Sequence, residues 1–383
     1  MIVIKHNIQI SVRSIQNFGS EPEMILTKTT GSYCLKNGFH TISYYELDEY
    51  GNTTDNFISL SEKEMQIRKS GSFSGQFVFA LDNRRRIHIM HYTGTIWRPP
   101  YEAYSALVQV TAGCTHHKCK FCTLYEDVPF KFRMSPLSEV EEDLKEISRY
   151  HRNAKRVFFT GANPFVLSFD KLKTLAELVK KYYPKVQSIG CFARITDITP
   201  KTTEQLRELR QLGYNSITIG AEAGDEESLS FMHKGFGTKE IIAESKRLDE
   251  VGMDYNFFYL AGIYGSGRGE IGAKNTAKVF NQVHPKIIVS SMLTIYPTSE
   301  LYQEIQNGNW TEETEIEKLY ELKTLIENLN IETYFATMGA SNCINVEGYL
   351  PKDKAKMTKW LNEVIDSVDE KELRRYRENL RHL

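Results

Sequence analysis

The sequence predicts an α/β protein: a (β/α)6 partial TIM-type barrel, preceded by an antiparallel β-barrel-like domain and followed by a helical C-terminal extension. Three observations predict it. Up to about Tyr92, apolar and polar residues alternate with period two. Beyond residue 105, apolar runs of strand length alternate with amphipathic helical stretches, about one unit per thirty residues. From Thr311 onward the chain reads as mostly helical and charged. The expected domains are therefore a β-rich module at 1–92, a linker at 93–104, a barrel at 105–310 and a helical extension at 311–383.

In the first module, "QISVRS", "HTISYYEL", "NFISL", "MQIRKS", "QFVFAL" and "RIHIMHY" are short, rich in β-branched and aromatic residues, and separated by turn residues. The Asn37-Gly38 pair marks a tight hairpin. "TGTIWRPPYEAY", with paired prolines at 99 and 100, reads as an extended linker. "SALVQVT" is the first barrel strand, and Ser135 and Pro136 offer an N-cap and first-turn proline for a helix bearing Leu137, Val140, Leu144 and Ile147. The strands "RVFFT", "QSIGCFAR", "SITIGAEAG", "YNFFYLAG" and "KIIVSSMLTIYP" follow, each trailed by a helical pattern.

With 383 residues, 41% hydrophobic and 25% charged, the chain can bury a large core. A formal net charge of −1 announces no basic face, which slightly disfavours nucleic acid as a partner and leaves a local basic patch open. No run of eighteen apolar residues offers a membrane span, and "MIVIKHNIQISVRS" lacks the features of a signal peptide, so a cytoplasmic protein without a membrane partner is expected.

Of six cysteines, Cys34, Cys191 and Cys343 are scattered, while Cys114, Cys119 and Cys122 crowd into "GCTHHKCKFCTLY" directly after the first barrel strand. Ligands of α/β barrels gather at the carboxyl ends of the strands, which puts this loop where an active site belongs. Thiolates suit zinc or iron-sulfur clusters. Three of them on a [4Fe-4S] cluster leave one iron open for chemistry. The alternative is a structural zinc site completed by His116 or His117, in a non-catalytic regulatory protein.

Cys114-Thr-His-His-Lys-Cys119-Lys-Phe-Cys122 resembles the radical S-adenosylmethionine (SAM) superfamily, whose loop ends in Cys-x-aromatic-Cys; most members have three residues between the first two cysteines and this chain has four. The resemblance runs from about Met90 almost to the carboxyl terminus. It implies a [4Fe-4S] cluster on the three cysteines, S-adenosylmethionine on the open iron, and a 5′-deoxyadenosyl radical that abstracts hydrogen from a substrate. It also implies a reductant such as flavodoxin or ferredoxin. By the same resemblance, Phe121 lies near the adenine, and Gly161, Ala162 and Asn163 of "TGANP" stand where the family places a Gly-Gly-Glu-type turn. Arg194 faces the cofactor carboxylate, Gly220 and Glu222 of "GAEAG" serve the ribose or methionyl ammonium, and Gly262 backs the adenine. No second cysteine set and no Asp-x-His-x-x-Gly cobalamin motif is present. The segment at about 8–92 is similar to a family of small calycin-like β-barrels, through "TTGSYCLKNGFHTISYYEL" and "RKSGSFSGQFVFAL".

Overall fold

The computed structural model describes residues 90–380, together with the backbone of six strands before them. Those six are β1 (Gln9–Ser11), β2 (Ile25–Thr27), β3 (Thr41–Leu47), β4 (Thr53–Ser61), β5 (Phe79–Leu81) and β6 (Ile87–Ile89). They pair as three antiparallel ladders, β1 with β2, β3 with β4 and β5 with β6. Closure into a calycin-like barrel lies outside the described residues.

From β7 (Ala106–Gln109) onward the chain builds one eight-stranded sheet. After a short ladder between β8 (Thr111–Gly113) and β9 (Phe132–Met134) come α1 (Leu137–Tyr150), β10 (Arg156–Thr160), α2 (Phe169–Tyr182), β11 (Ser188–Ala193) and α3 (Thr203–Leu212). They are followed by β12 (Ile217–Glu222), α4 (Glu226–Phe231), α5 (Thr238–Glu250), β13 (Tyr255–Ala261), α6 (Gly269–Phe280), β14 (Ile287–Met292) and α7 (Glu300–Gln306). The chain ends with α8 (Glu315–Asn328), β15 (Thr333–Thr337), β16 (Glu347–Leu350), α9 (Lys354–Ser367) and α10 (Glu370–Glu378).

The strand order is β7-β10-β11-β12-β13-β14-β15-β16, parallel throughout except for the last pair. Parallel neighbours need helical crossovers, and the apolar faces of those helices dictate where the core sits. Val140, Leu144, Leu172, Leu175 and Val179 of α1 and α2 pack on Val108, Val157, Phe159 and Ile189 of the sheet. The opposite face is concave. Phe192 on β11 and Phe258 on β13 have ring centroids 6.4 Å apart, whereas strands two apart in a flat sheet stand roughly 9–10 Å apart. Phe158 adds an edge-on contact to Phe192 at 5.1 Å. β7 and β16 do not pair with each other, so the barrel is open along one seam.

Three expectations need correction. The segment after residue 311 is not simply a helical extension: β15 and β16 add two strands to the sheet. Helix α1 begins at Leu137 with Pro136 in the N-cap position, one residue later than the Ser135-Pro136 pattern predicts.

Third, residues 93–104 are not a bare tether. The Tyr92 hydroxyl donates to the Leu107 carbonyl (2.9 Å), and the Thr93 backbone exchanges two hydrogen bonds with the Gln109 amide (2.6 and 2.8 Å). Thr160 Oγ1 donates to the Trp97 carbonyl (2.5 Å), and the Tyr101 hydroxyl meets Thr218 Oγ1 (2.7 Å). Glu102 pairs with Arg156 (2.7 Å) before β7 begins. Gln109, Thr160 and Thr218 belong to β7, β10 and β12, so this segment is packed along the sheet from the cysteine-loop end of β10 to the far end of β12.

Candidate cofactor site at the strand ends

The cysteine loop is held at its base by the β8–β9 ladder, and the Cys114 amide donates to the Lys131 carbonyl (2.8 Å). Inside it, the Cys122 amide donates to the Cys119 carbonyl (3.0 Å), which turns the Cys-x-x-Cys segment back on itself. Lys120 fixes the far side. Its amide bonds Met232, its carbonyl accepts from Leu301, and its ammonium pairs with Glu304 while resting 4.2 Å from the Phe231 ring centre. Cys114, Cys119 and Cys122 are all free thiols and half-buried.

Burial pushes the Cys119 thiol up and the Cys122 thiol up to about 12, and the Lys234 ammonium pulls against both shifts. Among the described residues, no three His, Cys, Asp or Glu side chains are gathered closely enough to hold a single metal ion. His116, a candidate fourth zinc ligand, has its Nε2 on the His233 carbonyl at 2.6 Å, and His117 is exposed. A cluster spreads its corner irons, so it takes thiolates farther apart than one ion does. Three free, half-buried thiols in one loop pinned at its base are the soft donor set it requires.

The strand ends around the loop place the other predicted residues. Gly161 follows β10 with φ +128°, and a β-carbon there would stand 2.1 Å from Thr111 Oγ1, so only glycine lets the first two strand ends approach this closely. Ala162 is half-buried. Asn163 is fully buried, and its side chain is consumed structurally: Nδ2 donates to Thr115 Oγ1 (2.7 Å) and to both oxygens of Asp197 (3.1 Å each). It thereby ties the cysteine loop to the end of β11. Burial lifts the Asp197 carboxyl to about 6.

Arg194 follows β11. Its guanidinium bonds Thr196 Oγ1 (2.9 Å) and the Lys234 carbonyl, and it lies 5.7 Å from the Phe236 ring centre.

Glu222 closes β12 in a left-handed conformation (φ +65°) at a register shift against β13. This bulge re-aims its side chain. The Glu222 carboxylate accepts from Lys234 Nζ (3.3 Å), and Gly220 leaves room for it, since a β-carbon there would stand 2.7 Å from Oε1. Lys234 is the member of this group that the sequence patterns miss. Its ammonium is almost wholly buried, with Phe121 and Phe236 at 5.6 and 5.4 Å. Burial works against its charge, but Glu222 and Cys119 outweigh that and hold its pKa above the ordinary lysine value.

Phe121, Cys119, Lys234, Glu222 and Arg194 are thus brought together. Gly262 is not part of this group on any observed contact. Its amide donates to Glu321 (2.8 Å), and at φ +91° it makes room for the Lys318 stem of α8. A cleft of about 650 Å³ lies elsewhere, lined by Tyr101, Asn342, Cys343 and Tyr376 among others; none of the predicted cofactor residues lines it.

An open parallel barrel with a three-cysteine loop after its first strand defines a class, and the comparisons with known proteins agree. Residues 108–272 match the Radical SAM superfamily, and residues 9–97 match a domain of unknown function (DUF1934). The matched span, residues 108–272, is the part of the chain that is similar to this superfamily, whose cofactors are a [4Fe-4S] cluster and S-adenosylmethionine. The heme chaperone HemW of Bacillus subtilis (strain 168) is 21% identical over 144 residues, covering 36% of this chain and 37% of HemW. The radical SAM methyltransferase TsrM from Kitasatospora setae has a TM-score of 0.44 and 16% identity, covering 54% of this chain and 41% of its own. Coproporphyrinogen III oxidase (HemN) from Escherichia coli has a TM-score of 0.43 and 17% identity, covering 58% and 51%. The chain spans less than half the length of HemW and of TsrM. No helix among the described residues is long and apolar enough to cross a membrane.

Proposed function

We propose that this protein is an enzyme with a single [4Fe-4S] cluster on Cys114, Cys119 and Cys122, which cleaves S-adenosylmethionine and abstracts a hydrogen atom from a substrate. The observation that carries this reading is the Lys234–Glu222 pair at the end of β12, with the Lys234 ammonium 5.6 Å from the ring of Phe121 between Cys119 and Cys122. When bound, the cluster supplies the electron that splits S-adenosylmethionine into methionine and a 5′-deoxyadenosyl radical.

The chain's own residues supply the positioning. Glu222, held by Lys234, offers a carboxylate to the methionyl ammonium or the ribose hydroxyls. Lys234 and Arg194 place two positive charges beside the loop, the complement of the cofactor carboxylate. Phe121 supplies an apolar face for the adenine. Asn163 serves by fixing the loop through Thr115, and the polar contacts at Gly161–Asn163 come from the backbone.

A reductant such as flavodoxin or ferredoxin provides the electron. The test is anaerobic reconstitution with iron and sulfide, followed by addition of dithionite and S-adenosylmethionine. Formation of 5′-deoxyadenosine supports the reading, and a protein that binds one zinc and forms none overturns it.

A further inference from the structure

The last residues of the N-terminal domain match are built into the cysteine-loop hairpin. Residues 9–97 match the domain of unknown function, yet within that span Thr93, Gly94, Thr95 and Trp97 all engage the barrel. Gln109, at the end of β7, exchanges two hydrogen bonds with the Thr93 backbone. Arg133 of β9 donates to Thr93 Oγ1 at 2.7 Å. Both the amide and the hydroxyl of Thr95 donate to Asp127 Oδ2, at 2.8 and 2.9 Å. Gly94 lies buried against Val128 with φ +70°, and a β-carbon there would stand 2.7 Å from Val128 Cγ1. Thr160, next to Gly161, bonds the Trp97 carbonyl.

These partners are not scattered. Asp127 and Val128 lie five and six residues after Cys122, within the loop that β8 and β9 close, and Arg133 lies on β9 itself. Among the described residues, Asp127 Oδ2 accepts only from Thr95. The β8–β9 ladder secures one end of the loop and Lys120 secures its tip; the stretch after Cys122 is secured by residues 93–95.

We infer that residues 93–97 are a positioning strut for the cluster-binding loop, so that the end of the domain of unknown function is a working part of the cofactor site. This rests on the proposed cluster ligation, but its first readout does not. The strut's residues act through the loop and touch no reacting atom.

The test uses the full chain and a conservative pair. Thr95→Val removes the hydroxyl that donates to Asp127, and Thr95→Ser keeps it. In the iron-free chain, Cys114, Cys119 and Cys122 should react with a colorimetric disulfide reagent several-fold faster in Thr95→Val than in wild type, with Thr95→Ser near wild type. Gly94→Val, which strains the backbone at φ +70° and drives a side chain into Val128, should move the rate further in the same direction. In reconstituted protein, the electron paramagnetic resonance spectrum of the reduced cluster and its change on adding S-adenosylmethionine should shift in Thr95→Val and in Gly94→Val and stay as in wild type in Thr95→Ser. Equal thiol reactivity in wild type, Gly94→Val and Thr95→Val would overturn the strut. A change in Thr95→Ser as large as in Thr95→Val, or a cluster spectrum identical in all variants, would also overturn it. A wild-type protein that assembles no cluster counts against the proposed function and leaves the thiol comparison to decide on the strut.

Discussion

Lys234 Nζ lies 3.3 Å from Glu222 Oε1 and 5.6 Å from the centre of the Phe121 ring, which brings a buried ammonium, a strand-end carboxylate and the cysteine loop into one group. Removing one member of a buried ion pair leaves the other uncompensated, at a cost of roughly 3 kcal/mol. Lys234→Met should therefore lower the melting temperature of the iron-free chain, and Glu222→Gln/Lys234→Met should recover part of the loss. A double-mutant cycle on thermal unfolding checks this; additive effects would mean the pair is not coupled.

Glu222→Gln alone should leave iron content unchanged and weaken S-adenosylmethionine binding by about 1–3 kcal/mol, as expected for a lost charged hydrogen bond. Equilibrium binding to the reconstituted protein measures it. An unaltered affinity would remove Glu222 from the cofactor contacts.

Gly161→Ala should cost stability and iron together. A β-carbon at φ +128° is strained and would also stand 2.1 Å from Thr111 Oγ1; each effect is worth about 1–3 kcal/mol. Iron per chain after reconstitution should fall with the melting temperature, and a fully loaded, wild-type-stable Gly161→Ala would contradict the close approach.

Glu313 is fully buried, and the side chain that meets its carboxyl is that of another acid, Glu321. Neighbouring Glu321 is also buried and accepts from the Tyr259 hydroxyl (2.5 Å) and the Gly262 amide (2.8 Å). Burial, with Glu321 and Glu317 nearby, raises the Glu313 carboxyl against the opposing pull of Lys318. A folded-state pKa above the unfolded value stabilises the protein fully below the ordinary glutamate pKa, and that stability is lost as pH rises toward the folded value. Glu313→Gln should therefore differ little from wild type at pH 5 and gain about 1–3 kcal/mol over it by pH 9. Melting curves across that range decide it, and a difference independent of pH would contradict the assignment.

The parallel strands were legible because each is an apolar run followed by helical periodicity, and the three cysteines because their spacing is local. β15 and β16 were not. β16 alternates exposed Glu347 and Tyr349 with buried Gly348 and Leu350 over only four residues, inside a charged segment. Lys234 carries no pattern at all; its meaning comes from Glu222, twelve residues earlier, and from a bulge that no spacing announces. The paired prolines at 99 and 100 suggested a tether because the partner of Tyr101 is Thr218, 117 residues away. Asn163 stood at the predicted turn, but only the fold shows that its side chain braces Thr115 and Asp197.

The central claim is that Cys114, Cys119 and Cys122 carry a [4Fe-4S] cluster that cleaves S-adenosylmethionine. The most direct measurement is iron and 5′-deoxyadenosine on the same anaerobically reconstituted full-length sample, beside the three single cysteine-to-alanine variants. The predicted result is about four irons per chain with 5′-deoxyadenosine formed on reduction, and loss of both in every variant. One zinc per chain with no iron and no 5′-deoxyadenosine, or cleavage that survives any of the three substitutions, would contradict it.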